Sequence, residues 1–211
     1  MQQGAKHISP YCLTVPDGHP LSKGRPIEDV QVDMFDLIAA KLNENGFQQY
    51  EISNFAIPGF ESRHNMLYWT DEPYWSLGLS SHSYSKEGAW GTRYWNVNSI
   101  GEYHKQIMQF EGQEFSSPRA HLPSEQVEEL QMHQALTDYC HTSLRLMRGL
   151  SEEGLKNKFP AHVAERVLSI CKTHQESGLI QQSDDHWTLS KNGIVLSNQV
   201  FQKFTFLEGE I

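Results

Sequence analysis

Residues 7–53 constrain the fold more than any other stretch. His7 to Val15 (His-Ile-Ser-Pro-Tyr-Cys-Leu-Thr-Val) reads as a strand. Pro16-Asp17-Gly18-His19-Pro20 ends it, because proline and glycine interrupt regular structure. Val30 to Glu44 then places Met34, Leu37, Ile38 and Leu42 at helical spacing, and Gly46 stands where a C-terminal cap belongs. Phe47 to Ser53 reads as a second strand. Strand, helix, strand predicts a βαβ unit, with a parallel pair and a right-handed crossover. The expected fold class is therefore α/β (α+β).

Pro58 to Trp95 has a different character. It is rich in Gly, Ser and aromatics and carries Trp69, Trp75, Trp90 and Trp95. Tyr74 to Tyr84 reads as an extended run broken at Gly78. Lys86-Glu87-Gly88 reads as a hairpin turn and Gly91 to Val97 as the return strand. Ser99 is placed to cap a helix running to Phe110, and Glu111 to Pro123 is a polar connection. Ser124 is placed to cap a further helix from Glu125 to about Leu146. The last sixty residues read as a separate module. Short and long helices are expected at Leu150–Phe159 and Ala161–Ser177, the second ending at Gly178. A two-stranded wing follows over Leu179–Ser190, turning at Asp184-Asp185, and then a helix over Lys191–Phe204. That order is winged-helix-like.

Charge excludes some functions. The net charge of −9 divides into −7 over residues 1–150 and −2 over residues 151–211. Neither part has the basic excess that phosphate-backbone binding needs. Within Ala161–Ser177, Arg166 and Lys172 are offset by Glu165 and Glu176, so no nucleic acid partner is expected. No run of eighteen apolar residues occurs, so no membrane span is expected, and the N-terminus has no signal-peptide pattern. A cytoplasmic location is the expectation. The three cysteines, Cys12, Cys140 and Cys171, have no cluster- or zinc-type spacing and each reads as an inert, partly buried thiol. No G-x-S-x-G, H-E-x-x-H, phosphate loop or dinucleotide fingerprint occurs. Glu152-Glu153 and Asp184-Asp185 read as a helix start and a turn.

The segment His64-Asn65-Met66-Leu67-Tyr68-Trp69 carries the most chemistry. Neutral imidazole is a usual haem iron ligand, and aromatic faces suit a flat apolar macrocycle. The bland alternatives are a structural histidine, an asparagine that holds a loop, and aromatics that only pack. Preceded by Tyr50-Glu51-Ile52-Ser53-Asn54-Phe55-Ala56 and Pro58-Gly59-Phe60-Glu61-Ser62-Arg63, this string resembles the signature of the HemW-type haem chaperones. These are related to oxygen-independent coproporphyrinogen III oxidase, in the radical S-adenosylmethionine superfamily. His7-Ile8-Ser9, Leu77-Gly78, His82-Ser83, Arg93-Tyr94-Trp95-Asn96, Gly178-Leu179-Ile180 and Trp187-Thr188-Leu189-Ser190 resemble further family segments, in order. The resemblance is to the C-terminal half of the family. One departure is that Ser80 and Ser81 stand where the family usually has Gly or Ala before the histidine.

The resemblance implies the C-terminal part of a partial (β/α) barrel, residues 1–115 with the aromatic-rich β segment. A small winged-helix-like helical domain follows at residues 116–211. It implies haem contact by His64, Asn65, Tyr68 and Trp69, with His64 and His82 as candidate iron ligands. It implies that Ala56 lies near S-adenosylmethionine. The guanidinium groups of Arg63 and Arg93 match haem propionates in geometry, with solvation at the surface as the commoner alternative. The intact family carries a [4Fe–4S] cluster and S-adenosylmethionine, but the cluster ligands are absent here. No radical chemistry is therefore expected from this chain alone. Expected partners are haem or porphyrin, with a haem-accepting protein or a separate N-terminal half, and a homo-oligomer left open. A coproporphyrinogen III oxidase fragment of porphyrin biosynthesis and a non-catalytic interaction module are the alternatives.

Overall fold

The computed structural model describes residues 4–16, 18–114, 119, 122 and 126–211. They form two compact units, Met1–Met66 with Ser143–Phe204 and Leu67–Thr142 with Thr205–Ile211. The strands form three three-stranded sheets, and no barrel is closed among the described residues. No helix among them is long and apolar enough to cross a membrane.

The first unit opens with β1 (His7–Ile8), α1 (Glu28–Glu44), β2 (Gln48–Glu51) and β3 (Asn54–Ala56). The expected strand to Val15 stops at Ile8. Pro10 has no N–H to extend a ladder, and Tyr11 to Thr14 are exposed. The expected parallel pair does not form either. β3 pairs antiparallel with both neighbours, His7 opposite Ala56 on one side and Gln48 opposite Ala56 on the other. β1 and β2 thus share a direction, but β3 lies between them. The cause is local: Ile52 and Ser53 form a turn, and the Ser53 N–H donates to the Glu51 carboxylate at 2.9 Å. Tyr50 to Ala56 is a hairpin rather than one strand.

Leu42, Phe47 and Phe55 are the buried centre of this layer, with Ile8, Phe35, Ala39 and Ile57 packed against them. The buried stripe of α1 is therefore Phe35, Ala39 and Leu42. The expected face is corrected: Met34, Leu37 and Ile38 are exposed, because the short sheet covers one side of a helix that is apolar on two.

The second part of this unit has winged-helix connectivity. β7 (Leu150–Ser151) leads through α5 (Glu152–Lys158) and α6 (Ala161–Glu176) to the hairpin β8 (Ile180–Ser183) and β9 (His186–Leu189). The sheet order is β7-β9-β8, with Leu150 opposite Trp187. Leu155, Val163, Val167, Ile180, Trp187 and Phe204 are buried there. The wing turns at Asp184, whose φ is 50°, as its sequence predicts. The expected helix at 150–159 begins two residues later, because Leu150 and Ser151 pair with β9. The expected last helix is divided at Leu196 into α7 (Lys191–Val195) and α8 (Ser197–Lys203).

The second unit holds β4 (His82–Ser85), β5 (Thr92–Trp95), β6 (Val127–Glu129) and α3 (Ile100–Phe110). The Tyr84–Arg93 register of the β4–β5 hairpin follows from the expected turn. Ser99 caps α3 by accepting from the Glu102 N–H. The expected helix from Glu125 is corrected: Val127–Glu129 pairs with β5, and helix α4 (Met132–Arg145) starts after it. A strand wins there because the outer edge of β5 needs a ladder partner. Ser124, Glu125 and most of the 111–123 connection lie outside the described residues.

Candidate functional site

The segment of greatest interest forms a short helix, α2 (Arg63–Trp69). Its first turn is fixed by Ser62, whose hydroxyl accepts from the Asn65 N–H at 3.3 Å and whose carbonyl accepts from the Met66 N–H at 3.0 Å. Arg63 and His64 are exposed at its start. His64 and Tyr68 stand four residues apart, on one helical face.

Asn65 is tied to the sheet below. The Tyr50 hydroxyl lies 2.9 Å from His7 Nε2 and is also hydrogen-bonded by the Asn65 side chain and the Ser62 backbone. Burial raises the Tyr50 pKa above the usual phenol range, and those hydrogen bonds oppose the shift. The Asn65 side chain thus locks the start of α2 to β2. Ala56 is buried in β3, between Gln48 and His7.

Downstream, Tyr68 packs on Tyr74 with ring centroids 4.2 Å apart, and Tyr74 on Tyr84 at 6.2 Å. The Tyr84 hydroxyl donates to Asp71 at 3.0 Å. Burial, and then the Asp71 carboxylate, push the Tyr84 phenol well above its ordinary range. Arg93 bonds Asp138 and reaches Glu128 at 3.5 Å. Burial raises the Asp138 pKa, and the Arg93 guanidinium opposes that rise. Asp71, Tyr74, Tyr84, Arg93 and Asp138 line a cavity of about 180 Å³ with Tyr68, Trp69 and Thr142. Sequence reasoning did not find this cluster. Its signal was present in the hairpin register, which sets Tyr84 opposite Arg93. Arg93, expected at a propionate, is held by two carboxylates instead.

His82 is exposed on β4 and stacks on its cross-strand partner Trp95, with centroids 5.7 Å apart. His64 belongs to the first unit and His82 to the second. The Gly78–His82 loop is firmly bonded: Asn96 donates to the Gly78 carbonyl at 2.9 Å and to the Ser81 hydroxyl at 3.0 Å. Ser80 takes φ 54° there, a conformation that glycine adopts at lower cost.

The cysteine expectation holds for two positions and fails for one. Cys140 and Cys171 are buried, and burial pushes the Cys171 thiol up to about 12. Cys12 is exposed, because β1 ends before it. No group of three or more His, Cys, Asp or Glu suited to a metal ion occurs among the described residues. The residues present do not fit a [4Fe–4S] cluster, and no chemical step here runs through one.

No family model matches the chain. In fold it is similar to coproporphyrinogen III oxidase (HemN) from Escherichia coli, described as a radical SAM enzyme. The TM-score is 0.57 and the identity 15%, over 85% of this chain and 42% of that one. The described architecture is thus similar to part of that fold. Sequence likeness narrows the class. The chain is 31% identical over 207 residues to heme chaperone HemW of Bacillus subtilis (strain 168), covering 95% of this chain and 51% of the relative. It is 30% identical over 207 residues to heme chaperone HemW of Mycobacterium tuberculosis (strain ATCC 25618 / H37Rv), covering 95% and 47%. The chain is a HemW-like member of the radical SAM family. It spans about half the length of the curated relatives it matches.

Proposed function

We propose that this chain contributes the haem contact of a HemW-like protein that carries haem to haem-requiring targets. The carrying observation is its similarity, along 95% of its length, to proteins named heme chaperone HemW. The geometry of α2 agrees with that reading. His64 presents an exposed imidazole at the helix start, and neutral imidazole binds haem iron through one ring nitrogen. Asn65 holds the helix to β2 through Tyr50, so the imidazole sits on a fixed support. Tyr68 and Trp69 supply aromatic surface on the same helix. His82, stacked on Trp95, is the weaker candidate ligand. Ala56 stands toward S-adenosylmethionine in the intact family. The division into a barrel-derived part at 1–115 and a winged-helix-like part at 116–211 belongs to this reading, as does a haem-accepting protein as partner.

Titration of the purified chain with hemin, followed by visible absorption, tests the proposal. One saturable, shifted Soret band at one equivalent is expected, lost in His64→Ala and kept in His82→Ala. A band that neither variant changes would remove His64 as the ligand. No saturable band at all would remove haem binding by this chain.

A further inference from the structure

Four aromatic rings form one continuous path in the second unit. Ring centroids are 6.2 Å apart for Trp69 and Tyr68, 4.2 Å for Tyr68 and Tyr74, and 6.2 Å for Tyr74 and Tyr84. These are spacings of rings in contact. The path has an outer and an inner end: Trp69, Tyr68 and Tyr74 are half-buried, and Tyr84 is buried. The backbones of Tyr74 and Tyr84 exchange two hydrogen bonds of 3.0 Å, which fixes the inner step. Gly91 closes over the Tyr84 phenol. Its φ is 97°, and an added Cβ would stand 2.6 Å from the Tyr84 hydroxyl oxygen.

The inner end carries a proton acceptor. Asp71 takes φ 56° just after α2, a left-handed conformation that aspartate tolerates better than most residues. There its carboxylate accepts from the Tyr84 hydroxyl at 3.0 Å. The charge of Asp138 also reaches the phenol, and that of Arg93 opposes it.

Electrostatics decide what this pair favours. It is a neutral phenol beside a half-buried carboxylate, one negative charge in all. Ionising the phenol would add a second negative charge, which burial and Asp71 both oppose. Losing an electron does the reverse. When the phenol proton passes to Asp71 as the electron leaves, the pair ends as a neutral phenoxyl radical beside a neutral carboxylic acid. A charge is removed from a poorly solvated place, and burial favours that.

We propose that Trp69, Tyr68, Tyr74 and Tyr84 form a relay that carries one-electron oxidation inward and stores it on Tyr84. The co-reactant is a one-electron oxidant, an outer-sphere metal complex or a peroxyl radical. It takes one electron at the outer end, and the vacancy passes from ring to ring. The Tyr84 O–H bond then breaks: its proton joins Asp71, and its electron fills the vacancy on Tyr74. A one-electron reductant of the ascorbate class later returns the electron, and Asp71 returns the proton. Neither step requires bound haem, so the relay is independent of the haem-contact reading.

The test oxidises the purified chain with photogenerated tris(bipyridine)ruthenium(III), followed by transient absorption and freeze-quench electron paramagnetic resonance. A long-lived tyrosyl radical is expected, formed more slowly in D2O because the phenol proton moves. Tyr84→Phe keeps the ring and removes the hydroxyl, and loss of the long-lived signal is expected. Asp71→Asn keeps the left-handed turn, which asparagine also adopts, and removes the carboxylate; loss is expected again. Tyr74→Phe is expected to slow the appearance of the signal, and an unchanged rate would overturn the path through Tyr74. Loss in Tyr84→Phe but not in Asp71→Asn would overturn proton transfer to Asp71. No long-lived radical in the parent chain, or a signal that both variants keep, would overturn the relay. So would a signal lost instead in Tyr50→Phe, whose hydroxyl lies 2.9 Å from His7 Nε2.

Discussion

Glu51 has no exposed surface, and its carboxylate meets the Arg145 guanidinium at 2.5 Å. The pair joins the β2–β3 hairpin to the end of α4, where the Ile52 N–H donates to the Arg145 carbonyl and the Met147 N–H to the Tyr50 carbonyl. The same hairpin holds Asn65 through Tyr50, so this ion pair braces the strands that support the start of α2. Arg145→Ala would leave a buried carboxylate without its cation. Truncating one partner of such a pair costs about 3–5 kcal/mol, and the partial exposure of Arg145 puts the expectation at the low end, about 3 kcal/mol. Urea unfolding measures it. A loss below about 1 kcal/mol would show that water replaces the guanidinium freely.

A second ion pair in the same unit should behave differently. Lys191 meets Asp36 at 2.6 Å, but both side chains are well exposed, at 75% and 38%. Exposed pairs contribute about 0–1 kcal/mol and are screened by salt. Asp36→Asn is expected to change the unfolding free energy by less than about 1 kcal/mol, with the difference fading at high salt. A loss equal to that of Arg145→Ala would contradict the burial argument for both pairs.

Much of this chain was legible because its signals were local. The β4–β5 hairpin, the Ser99 cap, α6 and the wing at Asp184 all rest on turn and cap residues within a few positions of each other. Three features were not legible, the first because a side chain makes the turn and the other two for nonlocal reasons. The Tyr50–Ala56 hairpin looks like one strand unless the Glu51 side chain is known to accept from Ser53. Val127–Glu129 has helix-forming neighbours, yet it pairs with β5. The α1 stripe was misread because Met34 and Phe35 are both apolar, and only the placement of the sheet decides which is buried. At the site, the motif named α2 but not the Tyr50 tether, whose residues lie fifteen apart in the chain.

Gly149 tests the packing of the winged part. It takes φ 77°, and an added Cβ would stand 2.1 Å from the Trp187 carbonyl oxygen. Backbone cannot yield cheaply there, since Leu150 and Trp187 are paired in the sheet. Gly149→Ala is expected to cost more than about 3 kcal/mol. Gly178→Ala is the comparison, with φ 73° and open space around the added carbon. It should cost about 1 kcal/mol, the price of a left-handed alanine alone. Equal losses in the two variants, read by thermal unfolding, would deny the close approach to Trp187.

Cys171 gives a pH dependence with a definite sign. Burial is the largest cause of its raised pKa, pushed up to about 12, and the Glu152 carboxylate adds to it. The folded state therefore holds the thiol proton more tightly than the unfolded chain, where a thiol titrates near about 8.5. This contribution is fully present below about pH 8.5 and is lost as pH rises from there toward about 12. Tyr84 acts in the same direction, because its phenol is also raised by burial and by Asp71. Cys171→Ala should flatten the alkaline fall in unfolding free energy between about pH 9 and 11. In the parent chain at pH 8, Cys12 should react with a thiol reagent at once, while Cys140 and Cys171 react only on unfolding. Rapid modification of all three thiols in the folded chain, or an alkaline profile that Cys171→Ala leaves unchanged, would overturn the assignment.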